Sequence, residues 1–409
     1  MGVFNVFTGV RVLVLGLILG FIFGFIGVFL GMLWLLGFLG GLWILGGYPL
    51  HWFTIVYGFL GIFVSGVSSV LHRLFYGGGF SRATGAAIIL MGLGTSIYLI
   101  GLIQPSLITV YILGLAIILL GSIIYLGYFV SIYKLNNPFF RYGDIFSLIG
   151  FIGFPVTIAL TLHSIFGDWP TGYMVYMPLL SLYGFPIPII YGVMTRLIKF
   201  KFSPLDLRAS MLSLATYIPG LALLYIGLYI GGETPLTLAG IFLTLSALLH
   251  IKAVDMMEHE VEEPYRSRMK EGDWRKYIYF TRHLNTAALW LVAATILLAL
   301  YPTLSTIVEG ARRIYLWDMM IHSLTVGFIG NIILAYAGYM LPHLIKRKYA
   351  YRSLSLVPYA HLNAGNLLRI SGDVLRIYGI HEPITMVSGL LILAAYIAGI
   401  VMIIRLLRE

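Results

Sequence analysis

Ten histidines and no cysteine occur in this 409-residue chain. Neutral imidazole suits haem iron, copper and zinc. Thiolate ligation, iron–sulfur clusters and disulfides all need cysteine and are excluded. The stretch WDMMIHSLTVGFIGNIILAYAGYMLPHLIKRK, residues 317–348, holds two of the histidines, His322 and His343. They are 21 residues apart, which is about 31 Å along a helix, so they cannot share one metal ion. His51 and His72 repeat the same separation. A second chemical signal is the run Arg369, Asp373, Arg376, whose spacing of four and three places all three side chains on one helix face.

The elements that carry these residues must be membrane spans. The chain is 60% hydrophobic and 10% charged, with a mean hydropathy of +0.95, a composition that no soluble globular domain shares. A span needs about 20 apolar residues. Twelve such stretches follow in order: 12–36, 50–71, 83–103, 107–132, 145–167, 173–195, 209–230, 235–254, 284–302, 315–342, 353–376 and 384–404. The expected fold is all-α, a polytopic bundle of about twelve transmembrane helices forming a single domain over 1–409. The N-terminal apolar run reads as a retained first span. The polar segment 255–282 reads as an amphipathic surface loop or short helix. Of the 26 Lys and Arg residues, 22 fall on alternate loops and the termini, and the positive-inside rule puts both termini in the cytoplasm of a cell with this protein in its plasma membrane. The net charge of +10 therefore reads as a topology signal, with no nucleic acid implied.

This topology assigns each histidine a depth. His51, His163, His322 and His381 fall on the outer side, on four separate elements. His72, His250, His259, His283, His343 and His361 fall on the cytoplasmic side. Ionisable groups inside a membrane mark functional sites by default. A haem clamped between two spans needs one histidine from each, and His51 with His322 meets that requirement at matched depth. His163 and His381 supply two more candidates, so the metal set is His51, His322, His163 and His381. Arg369 and Arg376 have the charge and depth to hold haem propionates. The plainer readings stand beside these: helix-end histidines sit at the interface as Tyr and Trp do, and Arg369 pairs internally with Asp373. Glu233, Glu309 and Glu382 lie in outer loops, and no membrane-centred carboxylate stands out as a proton relay.

The motif His322, Thr325, Val326, Gly327, Ile329, Gly330 with His343 behind it resembles the signature span of the NnrS family. HWFTIVYGF (51–59) is similar to the family's second span through His51, Gly58 and Phe59. YGVMTRLIKFKF (191–202) resembles its segment after span six through Met194, Arg196, Ile198 and Phe200. RHLNTAALWL (282–291) resembles the opening of span nine through His283 and Trp290, and ALTLHS (159–164) the end of span five. The chain departs from the pattern at Phe53 and Thr54, which replace a histidine and a glutamate, at Lys199, which replaces a proline, and after His343. The resemblance implies a twelve-span protein distantly akin to haem–copper oxidase subunit I, with haem b, copper and a link to nitric oxide. It adds His283 and His343 to the cofactor-binding candidates.

Counting limits the chemistry. A working terminal oxidase of that kind needs six outer histidine ligands, and this chain offers four. The expected function is therefore a membrane haem b or haem–copper protein in redox or nitric oxide handling, fed by a quinol or a respiratory partner subunit. Two alternatives remain open at the level of sequence. One is a two-haem electron-transfer subunit whose inner pair comes from His283, His343, His72 or His361. The other is a cofactor-free transporter or membrane anchor, for which the prolines of FIGFPV (151–156) and GFPIPIIYG (184–192) could break spans five and six.

Overall fold

A computed structural model describes residues 2–35, 51–76, 82–103, 107–133, 141–166, 173–197, 205–230, 232–256, 271–308, 310–344, 356–380 and 383–408. Twelve helices run through them: α1 (Gly2–Leu35), α2 (51–76), α3 (Arg82–Ile103), α4 (Ile108–Ile132), α5 (Arg141–Phe166), α6 (173–197), α7 (Leu207–Ile230), α8 (Glu233–Ala253), α9 (Glu271–Ile307), α10 (313–344), α11 (Leu356–Ile377) and α12 (Ile384–Arg408). No strand occurs among the described residues. The expected all-α, multi-pass architecture is thus present, and each expected span has its helix. Eleven of the twelve contain stretches long and apolar enough to cross a membrane. The exception is α11, long enough at 22 residues but too polar, since it carries His361, Asn363, Asn366, Arg369, Asp373 and Arg376.

The helices group into two compact units, 1–193 and 194–409. In the first, α1 packs on α2, α3 on α4, α4 on α5, and α5 on α6. Glycine sets the closest approach: a Cβ on Gly16 would stand 2.7 Å from Gly66 Cα, and one on Gly66 would stand 2.8 Å from Gly16 Cα, so α1 and α2 cross backbone to backbone. In the second unit α7 packs on α8, α8 on α9, α9 on α10, α10 on α11, and α11 on α12.

Two helices depart from regular α geometry in the same way. Thr54–Leu60 of α2 and Ser323–Gly330 of α10 are π-helical over seven and eight residues. Such stretches are rare, and most are single-turn bulges at functional sites. The prolines of spans five and six behave differently from each other. Helix α5 continues through Pro155, whereas α6 is interrupted at Phe185, immediately before Pro186, as expected where a proline disfavours helical geometry in the residue ahead of it. The polar segment 255–282 is resolved in part: α9 begins at Glu271, so its second half is a continuous extension of that helix, and 257–270 lie outside the described residues.

Candidate functional site

In the first unit, His51 opens α2 and its Nδ1–H donates to the Gly27 carbonyl of α1 at 2.7 Å. Its ring occupies the space over Gly31, where an added Cβ would come within 2.7 Å of Cε1 and Nδ1. A carbonyl only accepts, so in neutral His51 the proton sits on Nδ1 and the lone pair on Nε2. Three residues on, the π-helical stretch begins. Phe53 and Thr54 are buried. Phe53 stacks on Trp52 with ring centroids 3.8 Å apart and lies 4.8 Å from Tyr98 and 5.3 Å from Tyr57. The Tyr57 hydroxyl joins Thr161 Oγ1 at 2.9 Å. Phe53 is therefore part of an aromatic core. His163 is exposed in the last turn of α5.

In the second unit, His322 is half-buried on α10, directly before the other π-helical stretch. Its Nδ1 lies 3.0 Å from the Asp318 carbonyl and 3.2 Å from Asp318 Oδ1, both acceptors, so Nδ1 again carries the proton. Asp318 is the residue that sequence reasoning missed. It is buried, and it accepts from Arg369 Nε at 2.8 Å and from Arg369 Nη2. Asp373 Oδ2 lies 3.5 Å from the same Nε. Arg369, expected as a propionate partner, is thus engaged by two carboxylates, only one of which is its i+4 neighbour. Arg376 donates from Nη2 to Thr385 Oγ1 of α12 at 2.7 Å and sits over the Tyr315 ring.

Further along α10 and α11 lies a second polar cluster, built around the end of the same π-helical stretch. Its amide orientations follow from groups that can play one role only. Trp290 Nε1 donates to Asn363 Oδ1 at 3.0 Å, and Asn363 Nδ2 donates to the Tyr359 carbonyl at 2.9 Å. Asn331 Nδ2 donates to the Gly327 carbonyl at 2.6 Å and to Asn363 Oδ1 at 2.9 Å, and Asn363 Nδ2 returns a bond to Asn331 Oδ1 at 3.1 Å. Asn331 Oδ1 therefore faces His283 of α9, whose Nδ1–H donates to it at 2.8 Å. The lone pair of His283 is left on Nε2, which is buried and has no hydrogen-bond partner among the described residues. Tyr279 and Tyr359 flank the ring edge to face, with centroids 4.7 and 4.9 Å away.

Thr325, Gly327 and Gly330 find physical roles here. Thr325 Oγ1 donates to the Ile321 carbonyl at 2.8 Å. Gly327 admits the Trp290 indole and Gly330 the Leu362 side chain, each at a distance a Cβ would violate or crowd. The glycines allow the close packing that lets Trp290 and Asn363 reach the π-helical stretch.

Of the expected ligands, His51 and His163 lie in the first unit and His322 in the second. His381 lies outside the described residues, as does the side chain of His343. His283 and His250 are buried, and His361 is half-buried with Nδ1 donating to the Val357 carbonyl at 2.9 Å. Among the described residues no three His, Asp or Glu side chains gather closely enough to hold a metal ion. No family model matches the chain, and no curated protein matches it.

Proposed function

We propose that this is a membrane haem b protein of the NnrS and haem–copper-oxidase-like class, with His51 in the first unit and His322 in the second as candidate iron ligands. One recurrence supports the reading. In each unit the expected ligand has its Nδ1–H on a backbone carbonyl and precedes a π-helical stretch, by three residues at His51 and by one at His322. A carbonyl at Nδ1 is the second-shell partner that orients a ligating imidazole and presents Nε2 to a metal. The Nδ1 contact alone is not distinctive, since His361 makes it too; the combination with the π-helix is confined to His51 and His322 among the described histidines. Bound there, haem b would supply one-electron chemistry and affinity for small diatomic ligands. The chain's own part is to orient the imidazoles and shield the site from water. Arg376, held by a neutral hydroxyl, is the cation suited to a propionate. Copper would require further histidines from the His163 and His381 pair.

The test is haem retention in variants. His51→Ala and His322→Ala are expected to lose the Soret band while His361→Ala keeps it. Retention in both of the first two, with folding intact, would overturn the assignment.

A second reading, two haems in one electron-transfer subunit, is favoured by a specific observation: the buried Nε2 lone pair of His283. Two haems per chain, one of them lost in His283→Ala, would establish it. A single haem unaffected by that change would exclude it.

A further inference from the structure

We infer that the polar face of α11 forms a hydrated proton track through the second unit, with the Asp373 carboxyl as its proton-exchanging site. This does not rest on the haem reading.

Six polar residues, Tyr359, Asn363, Asn366, Arg369, Asp373 and Arg376, recur on α11 at intervals of three or four. They form one stripe about 25 Å long, most of the roughly 30 Å thickness of a bilayer's hydrocarbon core. The stripe faces α10 at both ends: Asn363 meets Asn331, and Arg369 meets Asp318. Between those two contacts and for one turn beyond them, bonding is incomplete. Asn366 is fully buried, yet neither its Nδ2 nor its Oδ1 has a hydrogen-bond partner among the described residues. Arg369 Nη1 also has no hydrogen-bond partner there, and the Asp373 oxygens accept none, although the Asp373 carboxyl lies within bonding reach of Asp318 once one of the two carries a proton. Two turns of one helix face thus present both donors and acceptors. Buried groups of this kind are met by ordered water, which needs two to four polar partners. Asn366 supplies one donor and one acceptor at the midpoint, and so joins the two bonded clusters into one path.

Charge accounting identifies the exchanging group. Asp318 holds Arg369 through two hydrogen bonds and also lies against His322. Asp373 approaches the same guanidinium at 3.5 Å without a hydrogen bond and has no exposed surface. Two carboxylates share one fully buried cation, Arg369, so the second negative charge is met only by the half-buried Arg376, which bonds Thr385, and is costly in a low dielectric. A proton on the less tightly bound carboxyl, Asp373, removes that charge. The ionisable groups that act on it are Asp318 on α10 and Arg369 and Arg376 on α11; His322 and Tyr315 lie one contact further away, against Asp318 and Arg369. The described contacts from α12 are the uncharged Ile384 and Thr385 side chains, which lie over Gly372. The step is a simple transfer: the carboxyl O–H bond breaks, water takes the proton, and the carboxylate is reprotonated from a second water. No oxidant or reductant enters.

Infrared spectroscopy of the full-length protein in lipid nanodiscs tests both parts. The wild type is expected to show the carbonyl stretch of a protonated carboxylic acid, shifting to lower frequency on perfusion with D2O. Asp373→Asn is expected to lose that band and Asp144→Asn to keep it. Asn366→Leu, nearly isosteric, is expected to slow the deuterium shift several-fold. If Asp373→Asn fails to fold, Asp373→Glu is expected to retain the band at a changed frequency. A band absent from the wild type, never shifted by D2O, still present in Asp373→Asn or unmoved in Asp373→Glu would overturn the assignment of Asp373. An equally fast shift in Asn366→Leu would overturn the track. None of these outcomes bears on the Soret test above.

Discussion

Hydrogen-bond roles fix the second unit at the residue scale. Trp290 can only donate and the Tyr359 and Gly327 carbonyls can only accept, so Asn331, Asn363 and His283 each have one permitted arrangement. Asn363→Leu strands the Trp290 N–H and part of the Asn331 amide, each loss costing about 1–3 kcal/mol. The variant is expected to melt at a lower temperature in detergent, with quenched or shifted Trp290 fluorescence. Asp318→Leu leaves Arg369 with the distant Asp373 alone. Breaking a buried ion pair costs about 3–5 kcal/mol, so a larger fall in melting temperature is expected there than in Asn363→Leu; an equal or smaller fall would contradict the dominance of Asp318. Arg369, Asp373 and Arg376 were legible in the sequence because a single helix brings them together. Asp318 was not, because its partner lies 51 residues away on another helix, and the Asn331–Asn363 pair, 32 residues apart, was hidden for the same reason.

Elements turn these contacts into a site. The two π-helical stretches begin three residues after His51 and one residue after His322, and nothing in the one-dimensional pattern of hydrophobicity marks them. Apolar runs announce a span, but not whether its backbone bonds close over four residues or five. Deleting one residue within Ser323–Gly330, Val326 for example, should let the α-helical register close and change the turn of the helix between His322 and Asn331. Loss of the His322–Asp318–Arg369 cluster is then expected, read as a fall in melting temperature at least equal to that of Asp318→Leu. An unaffected protein would show that the π geometry is incidental. Glycine matters here chiefly at Gly31, where Gly31→Ala puts a methyl group into the His51 ring and is expected to weaken any ligand held by that imidazole.

At the scale of the whole molecule, the twelve helices of the described residues and their order were legible because about 20 apolar residues between short polar loops leave few alternatives. The membrane-side assignment rests on the Lys and Arg bias. With no native cysteine, single cysteines test it cleanly: a thiol at Asn137 or His259 is expected to resist an impermeant reagent added to intact cells, and one at Gly232 to react. The reverse pattern would invert the topology. The division into two units, 1–193 and 194–409, was not legible, since no internal sequence repeat marks it. Haem binding is the proposal on which the function turns. Its most direct test is the optical spectrum and the haem and iron content per chain of protein purified after expression with ample haem. A Soret band with stoichiometric iron is expected; a colourless protein without iron would contradict the claim.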